Sequence, residues 1–542
     1  MQKRKLLVTS ALPYANGSIH IGHLVEHIQT DIFVRYQRLI GNTCYYMCAD
    51  DAHGTAIMLS AKKNNQSPED YIKSIQEEHM NDFKAFNISH DHYYSTHSEE
   101  NKALSEHIYL SAKDKDAIKE VEIEQYFCEE TGLFLADRFI KGTCPKCGAE
   151  DQYGDSCEKC FATYQATELK DPISMYSGKP PVLKTSVHHF FKLSIFEKQI
   201  NSWLNSDTVH KSVRNKLKEW LSSGLKDWDI SRDEPYFGFK IPNENNKYFY
   251  VWLDAPVGYI ATTKNWCETY KQEDFDAIWK SDEYEIHHFI GKDILYFHTL
   301  FWPAMLDVGK FSMPKKVNVH GFLTVNGEKM SKSRGTFILA STYLKHLDPE
   351  FLRYYYASKL SNTMEDLDLS LDDYTHKINA DVLGKVINIG SRLGSIVYKK
   401  LDASLSSCDE SGVSLLKSIL ESKESISQLY ETLEFNKAMK EIMKCADLAN
   451  QYIDTNAPWS LVKEDSEAAR KVCTTGLNAF RYLLIYLKPV LPLIVEKCES
   501  FLNISPLTWK DLDTLLESHT INKYSHVASR LDRQEVEKLI EN

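Results

Sequence analysis

The chain has no apolar run long enough to cross a bilayer. Its best stretch, residues 482–495, is broken by Lys488, Pro489 and Pro492, far short of the ~20 apolar residues a span needs. A secretory leader is also missing: residues 1–15 join basic residues to a short apolar segment, but Thr9, Ser10 and Pro13 spoil it, and it reads as a first strand. Cysteine is sparse, twelve in 542 residues, which excludes a disulfide scaffold and fits a reducing cytoplasm. Glycine (22) and proline (16) are too few for collagen or a low-complexity chain. Positive charge is short as well. Against 76 Asp and Glu stand 64 Lys and Arg, a net charge of −12, which excludes a protein that coats nucleic acid non-specifically. Local basic clusters at 211–218, 315–316 and 377–400 read singly as solvated helix surface.

What remains is ordinary globular material, 43% hydrophobic and 26% charged, and at about 150 residues per domain the length predicts three or four domains. Four apolar segments, residues 5–12, 44–49, 286–290 and 317–322, read as strands. Each runs into polar residues: Asn16 and Gly17, Asp50 and Asp51, Lys292 and Asp293, Asn326 and Gly327. Parallel sheets bind ligands beyond the carboxyl ends of their strands. These residues are therefore expected to line one crevice of an α/β fold, a Rossmann-like doubly wound parallel sheet. More than 200 residues, carrying both CxxC pairs, separate the second strand from the third and predict an insertion that splits the sheet domain. From about residue 378 the strand signal stops, and helical periodicity over 381–399, 411–433, 436–455 and 468–486 predicts an all-α bundle. The expected division is 1–115 and 233–325 for the split sheet domain, 116–232 for the insertion, 326–377 for a linking region and 378–542 for the bundle.

Three strings carry chemistry. Cys144, Cys147, Cys157 and Cys160 form two CxxC knuckles separated by nine residues. Four thiolates at that spacing close a tetrahedral site with no open position, so one structural zinc is expected near residues 140–165, helping to fold a small loop-rich unit. His20-Ile21-Gly22-His23 opens the first long helix directly after the first strand's turn. Two imidazoles one turn apart suit phosphate oxygens there, because free amides and the helix dipole favour anions and Gly22 admits close approach. Lys329-Met330-Ser331-Lys332-Ser333 follows the fourth strand as a basic loop that can close on the same crevice as phosphate charge changes. Beside these, Ile294, Phe297, His298 and Phe301 fall at i, i+3, i+4 and i+7, one face of a helix after the third strand.

The pair of strings, HIGH early and KMSKS late, resembles the signatures of class I aminoacyl-tRNA synthetases. Further segments (Ala11–Gly17, Cys48–Thr55, Trp228–Arg232, Val251–Pro256, Gly291–Asp293 and Asn456–Trp459) resemble the methionyl-tRNA synthetase family in particular, over nearly the whole chain. The resemblance implies a ligase that activates methionine with ATP and Mg2+, forms methionyl-adenylate, and passes the methionyl group to the 3′ end of tRNA(Met), initiator and elongator alike. It implies an apolar methionine pocket of Leu12, Tyr14, Trp252, Ala255, Pro256, Tyr259, Ile294, Phe297 and His298. Asp51, helped by the Leu12 carbonyl, is expected to take the ammonium group, with Asp50 structural.

For ATP the matching residues are Asn16, His20, Gly22, His23, Lys329 and Lys332. His20, His23, Lys329 and above all Lys332 are the expected catalytic groups. Arg232 and Asp293 match paired charges near the substrate, and read equally as an ion pair at the domain seam. In the bundle, Asn388, Arg392, Pro458 and Trp459 are expected to meet the CAU anticodon, where an indole can stack an unpaired base. A cytoplasmic monomer free of membrane is expected for a chain ending at Asn542. The leucine, isoleucine and valine relatives usually carry a much larger editing insertion than this one. A zinc-ribbon tRNA-binding protein without catalysis is the reading from another functional class, and activity without tRNA separates the two.

Overall fold

The computed structural model describes residues 3–154, 157, 159–160, 162, 164–222, 224–330 and 336–540. Five parallel strands form the main sheet: β1 (Lys5–Ser10), β2 (Thr43–Asp50), β3 (His92–Ser95), β4 (Glu285–Gly291) and β5 (Lys316–His320), in the spatial order β5-β4-β1-β2-β3. Successive side chains of a strand point to opposite faces. Leu6 and Val8 accordingly join a core with α1 (Ile21–Leu39), while Leu7 joins the core with α2 (Glu99–Asp114) and α3 (Val251–Tyr270). Both faces of the sheet are covered, as a parallel sheet requires.

β3 was not expected from the sequence. Its four residues, His92 to Ser95, are all half-buried, and an edge strand with one covered face carries no aliphatic run to detect. The first strand also ends at Ser10 rather than at residue 12.

Between β3 and β4 the chain leaves the sheet. A long antiparallel ribbon of Ile118–Cys128 against Val182–Phe191 carries a small three-stranded sheet of Gln152–Tyr153, Ile140–Thr143 and Lys170–Ser174. Among the described residues the hydrophobic cluster of that unit is Tyr126, Cys128, Leu135, Phe139, Ile140 and Leu169, of the size that needs a staple to hold it.

The tail is helical. α4 (Pro349–Lys359) leads to a run that includes α5 (Asn388–Lys400), and α6 (Phe435–Asn456) packs with the largely buried α7 (Ser466–Leu487). The single helix expected over 411–433 is two, Glu410–Leu420 and Lys423–Glu431. The Ser422 amide bonds the Ile419 carbonyl three residues back, the tightened turn that ends a helix.

Tail and sheet are joined by a buried guanidinium: Arg353 of α4, with a side chain 0% exposed, pairs with Asp31 of α1 at 2.7 Å and donates to the carbonyls of Pro489 and Val490. Among the described residues no helix is long and apolar enough to cross a membrane.

Candidate active site

The order of strands reverses between β1 and β4, and at such a switch point a crevice opens beyond the carboxyl ends. A cavity of about 1060 Å³ lies there, lined by residues at or just past the ends of β1 (Ala11 to Tyr14), β2 (Asp51), β4 (Gly291, Asp293, Ile294) and β5 (Gly321 to Thr324). That volume can hold an amino acid and a nucleotide together. Leu12, Tyr14, His20, Gly22, His23, Asp51, Arg232, Trp252, Ala255, Pro256, Tyr259, Asp293, Ile294, Phe297, His298 and Lys329 all line it. Asn16 does not: it sits exposed on the preceding turn, where its carbonyl accepts from the Tyr71 hydroxyl. Lys332 lies outside the described residues.

Asp51 is placed by an extension of the sheet. Its amide donates to the Pro13 carbonyl and its carbonyl accepts from the Ala15 amide, both at 2.9 Å, carrying the β1–β2 pairing past the strand ends. Asp51 Oδ1 is buried with no hydrogen-bond partner. Burial first, and then the charge of Asp254, push its carboxyl well above the usual carboxylate range. The His53 amide bonds this carboxyl group, and the oxygen left over is one that a cation of ammonium size would stabilise. Asp50 faces away, accepting from His79 and the Tyr93 hydroxyl, and His79 in turn bonds the Gly17 carbonyl, so it braces the turn.

The apolar side of the cavity is ordered by hydrogen bonds at its floor. His298 Nδ1–H donates to the Ile294 carbonyl at 3.1 Å, which leaves Nε2 to accept from the Tyr259 hydroxyl at 2.8 Å. Burial pushes His298 down to about 4, so its ring is neutral and this tautomer is fixed. Trp252 stacks on Phe297 with ring centroids 3.8 Å apart. Gly258 lets α3 close on Leu12, since a Cβ there would lie 2.7 Å from Leu12 Cδ2.

The apolar stripe after β4 is not one α-helical face. Phe297–Phe301 is π-helical, and Phe301 packs into the core against Phe191 and Trp228 while Ile294, Phe297 and His298 face the cavity.

His20 caps α1. Its Nδ1 accepts from the amides of Gly22 and His23 at 3.1 and 3.3 Å, and the two imidazoles stack with centroids 3.6 Å apart. The amides expected to be open to an anion are thus capped by the motif's own first histidine, and what faces the cavity is imidazole. Burial, then the neighbouring His20, hold His23 well below the ordinary histidine value. It offers a hydrogen bond rather than charge.

Gly22 brings the two motifs together: a Cβ there would lie 2.4 Å from Met330 Cε. On the far side of residues 331–335, Phe337 lies edge-on to His20, the Ile21 amide bonds the Ile338 carbonyl and the Ala340 amide bonds the Ile19 carbonyl. Both flanks of the KMSKS segment are seated on the HIGH turn.

Arg232 and Asp293 both line the cavity but are not paired with each other. Arg232 pairs with Asp229 at 3.2 Å, three residues back on the same segment, and lies 3.6 Å over the Tyr250 ring.

A family model described as tRNA synthetases class I (M) matches residues 6–394, and one described as the anticodon binding domain of methionyl tRNA ligase matches residues 405–531. The chain belongs to the methionyl-tRNA synthetase family. As such it is an ATP-dependent methionine–tRNA ligase. In fold it is similar to Mycobacterium tuberculosis methionyl-tRNA synthetase in complex with methionyl-adenylate, at 22% identity and a TM-score of 0.80, over 97% of this chain and 99% of that one. A second crystal structure of the same enzyme bound by methionyl-adenylate matches at 20% identity and a TM-score of 0.80, covering 97% and 100%.

Two further features suit a methionyl-tRNA synthetase. The four cysteine sulfurs lie within 4.8 Å of one another, with Cys144–Cys160 at 3.8 Å and Cys147–Cys157 at 3.6 Å. A tetrahedral zinc with Zn–S bonds near 2.3 Å sets its sulfurs about 3.8 Å apart. The amides of Lys146, Cys147 and Cys160 already point at the sulfurs of Cys144 and Cys157, as at a thiolate site. These four residues can hold one zinc.

On the bundle, Trp459 is 39% exposed, the Arg392 guanidinium lies 4.5 Å over its ring, and Arg392 pairs with Asp454 at 3.1 Å. Asn388 sits one turn earlier on α5, partly exposed. Pro458 is buried and opens the short helix Pro458–Leu461 that carries Trp459.

Several groups escaped the sequence reading. Buried Glu26 and His320 face each other across the cavity wall at 3.4 Å, and buried His53 joins Asp254 to His97 behind Asp51. The insertion also overhangs the cavity with Gln125, Asp137 and Tyr164 to Thr167.

Proposed function

We propose that the cavity is where methionine and ATP meet. The methionine carboxylate attacks the α-phosphate, pyrophosphate departs, and the resulting methionyl-adenylate is taken by the terminal ribose hydroxyl of tRNA(Met), initiator and elongator alike. No enzyme nucleophile is needed, so the protein's contribution is alignment and electrostatics. Asp51 and the Leu12 carbonyl hold the ammonium group. Tyr14, Trp252, Ala255, Pro256, Tyr259, Ile294, Phe297 and His298 enclose the thioether, for which polarizable aromatic contacts are favourable. His20 and neutral His23 donate to the phosphates, brought in with Mg2+. Lys329 and Lys332 carry the charge that pyrophosphate release demands, and Arg232 and Asp293 flank the reacting groups.

In the same reading Asn388, Arg392 and Trp459 read the anticodon, and the chain works as a cytoplasmic monomer divided near residues 115, 232, 325 and 377. One zinc on Cys144, Cys147, Cys157 and Cys160 ties the two knuckles together when bound.

The observation that carries the reading is Asp51 Oδ1, a buried acceptor without a partner, in a cavity shared by an aromatic sleeve and both signature motifs. The test is amino-acid-dependent exchange of labelled pyrophosphate into ATP without tRNA, across all twenty amino acids. Exchange with methionine alone is expected; exchange with another amino acid would overturn the pocket reading. For the zinc, metal analysis should find one equivalent per chain, lost in Cys157→Ser together with thermal stability of the insertion.

A further inference from the structure

His188 stands on the insertion's ribbon where Trp228–Asp229 pairs with it, next to the short strand that carries Arg232. Its side chain is 1% exposed. Nδ1 lies 2.8 Å from Asp229 Oδ2, and Nε2 lies 2.9 Å from Asp233 Oδ2. A neutral imidazole has one N–H and an ionised carboxylate only accepts, so both contacts are hydrogen bonds only when the ring is protonated.

The two carboxylates also hold other groups: Asp229 Oδ2 is shared with the Arg232 guanidinium, and Asp233 takes the Ser186 hydroxyl and the Lys247 ammonium. Gln125 of the facing strand contacts Nε2 with its amide group, which can meet an imidazolium N–H favourably only through its oxygen. Burial opposes the charge, but the bonds to Asp229 and Asp233 outweigh it and hold His188 above the ordinary histidine value.

We propose that His188 is a positioning residue: as an imidazolium bracketed by Asp229 and Asp233, it fixes the Asp229 carboxylate and through it the Arg232 guanidinium at the cavity, so that substrate binding weakens when His188 loses its proton. This rests on the methionine-activating reading of the cavity and on Arg232 meeting substrate charge there. Because the bracket raises the folded-state value, the arrangement is complete at and below the ordinary histidine value and is lost as pH rises through the raised one.

The test is methionine-dependent pyrophosphate exchange by the full chain from about pH 6 to 9, with kcat and the KM for methionine read separately. In the wild type KM should rise with pH. His188→Gln should raise KM about tenfold at the acid end, the size of one charged hydrogen bond, with kcat little changed and that rise gone. Asp233→Asn, which removes one bracketing charge, should move the rise to lower pH. A rise at the wild-type pH in Asp233→Asn overturns the proposal, and does so even where His188→Gln fails to fold. Arg232→Gln with a wild-type KM also overturns it. Absence of exchange in the wild type would overturn the reading of the cavity itself, a different result from exchange with an unshifted profile.

Discussion

Asp51 and His298 line the same cavity, and burial favours the neutral form of each. Asp51 keeps one buried carboxylate oxygen without a partner, so Asp51→Asn should raise the KM for methionine about a hundredfold or more, as breaking a buried ion pair does. The same change should leave the ligand-free protein as stable as the wild type or more so, which thermal melts with and without methionine will separate. His298, held down to about 4, is stabilising as a neutral ring. Its contribution is complete above the ordinary histidine value of about 6.5 and is lost as pH falls toward 4. Methionine binding measured by calorimetry should therefore show no His298 titration between about pH 6.5 and 8, and Tyr259→Phe, which leaves Nε2 unpaired, should weaken it about tenfold. These residues were legible because they sit in short strings with a known chemistry. Glu26 with His320, 294 residues apart, and His53 with Asp254, 201 apart, were not, since nothing local announces either partner.

At the scale of elements, helical periodicity marked the tail, and apolar runs with polar ends marked four of the five strands of the main sheet. Both signals fail where the geometry leaves the ideal period. Edge strand β3 lacks aliphatic residues, and the π-helical turn at Phe297–Phe301 rotates Phe301 out of a stripe that a 3.6-residue period assigns to one face. The contact between Gly22 and Met330 belongs to this scale, because it joins the start of α1 to the loop that carries the lysines. In Gly22→Ala the new methyl group must displace Met330 Cε, the far end of a flexible side chain, and would also crowd His20 Nδ1 and Cε1 at 2.9 Å. Unfolding free energy should stay within about 0.5 kcal/mol of wild type. The exchange kcat should fall about tenfold, as when a closing loop loses its seat, and a kcat unchanged by the substitution would remove Met330 from the mechanism.

Across the whole molecule, the split sheet and the helical tail could be read from where strand signals stop and resume, but the joint between them could not. Arg353 looks in sequence like any helical charge, yet it is fully buried and binds Asp31 together with two tail carbonyls. Arg353→Met leaves Asp31 still paired with Arg35 but strips the buried carbonyls of Pro489 and Val490 of their donor, so it should destabilise the protein by about 1–3 kcal/mol in denaturant titrations. Burial opposes the Asp31 charge, but Arg35 and Arg353 outweigh it and keep its carboxyl below the ordinary range; the stability from this joint is full above about pH 4 and is lost as acid protonates Asp31. The interrupted sheet also has a consequence in time. Thr9 of β1 meets His288 of β4 across 279 residues of chain, and at roughly 5–20 residues per second a ribosome delivers β4 some tens of seconds after β1. Through that interval one edge of β1 is open while the insertion between them is already free to fold, so the crevice at the switch point comes into being only after the insertion that overhangs it.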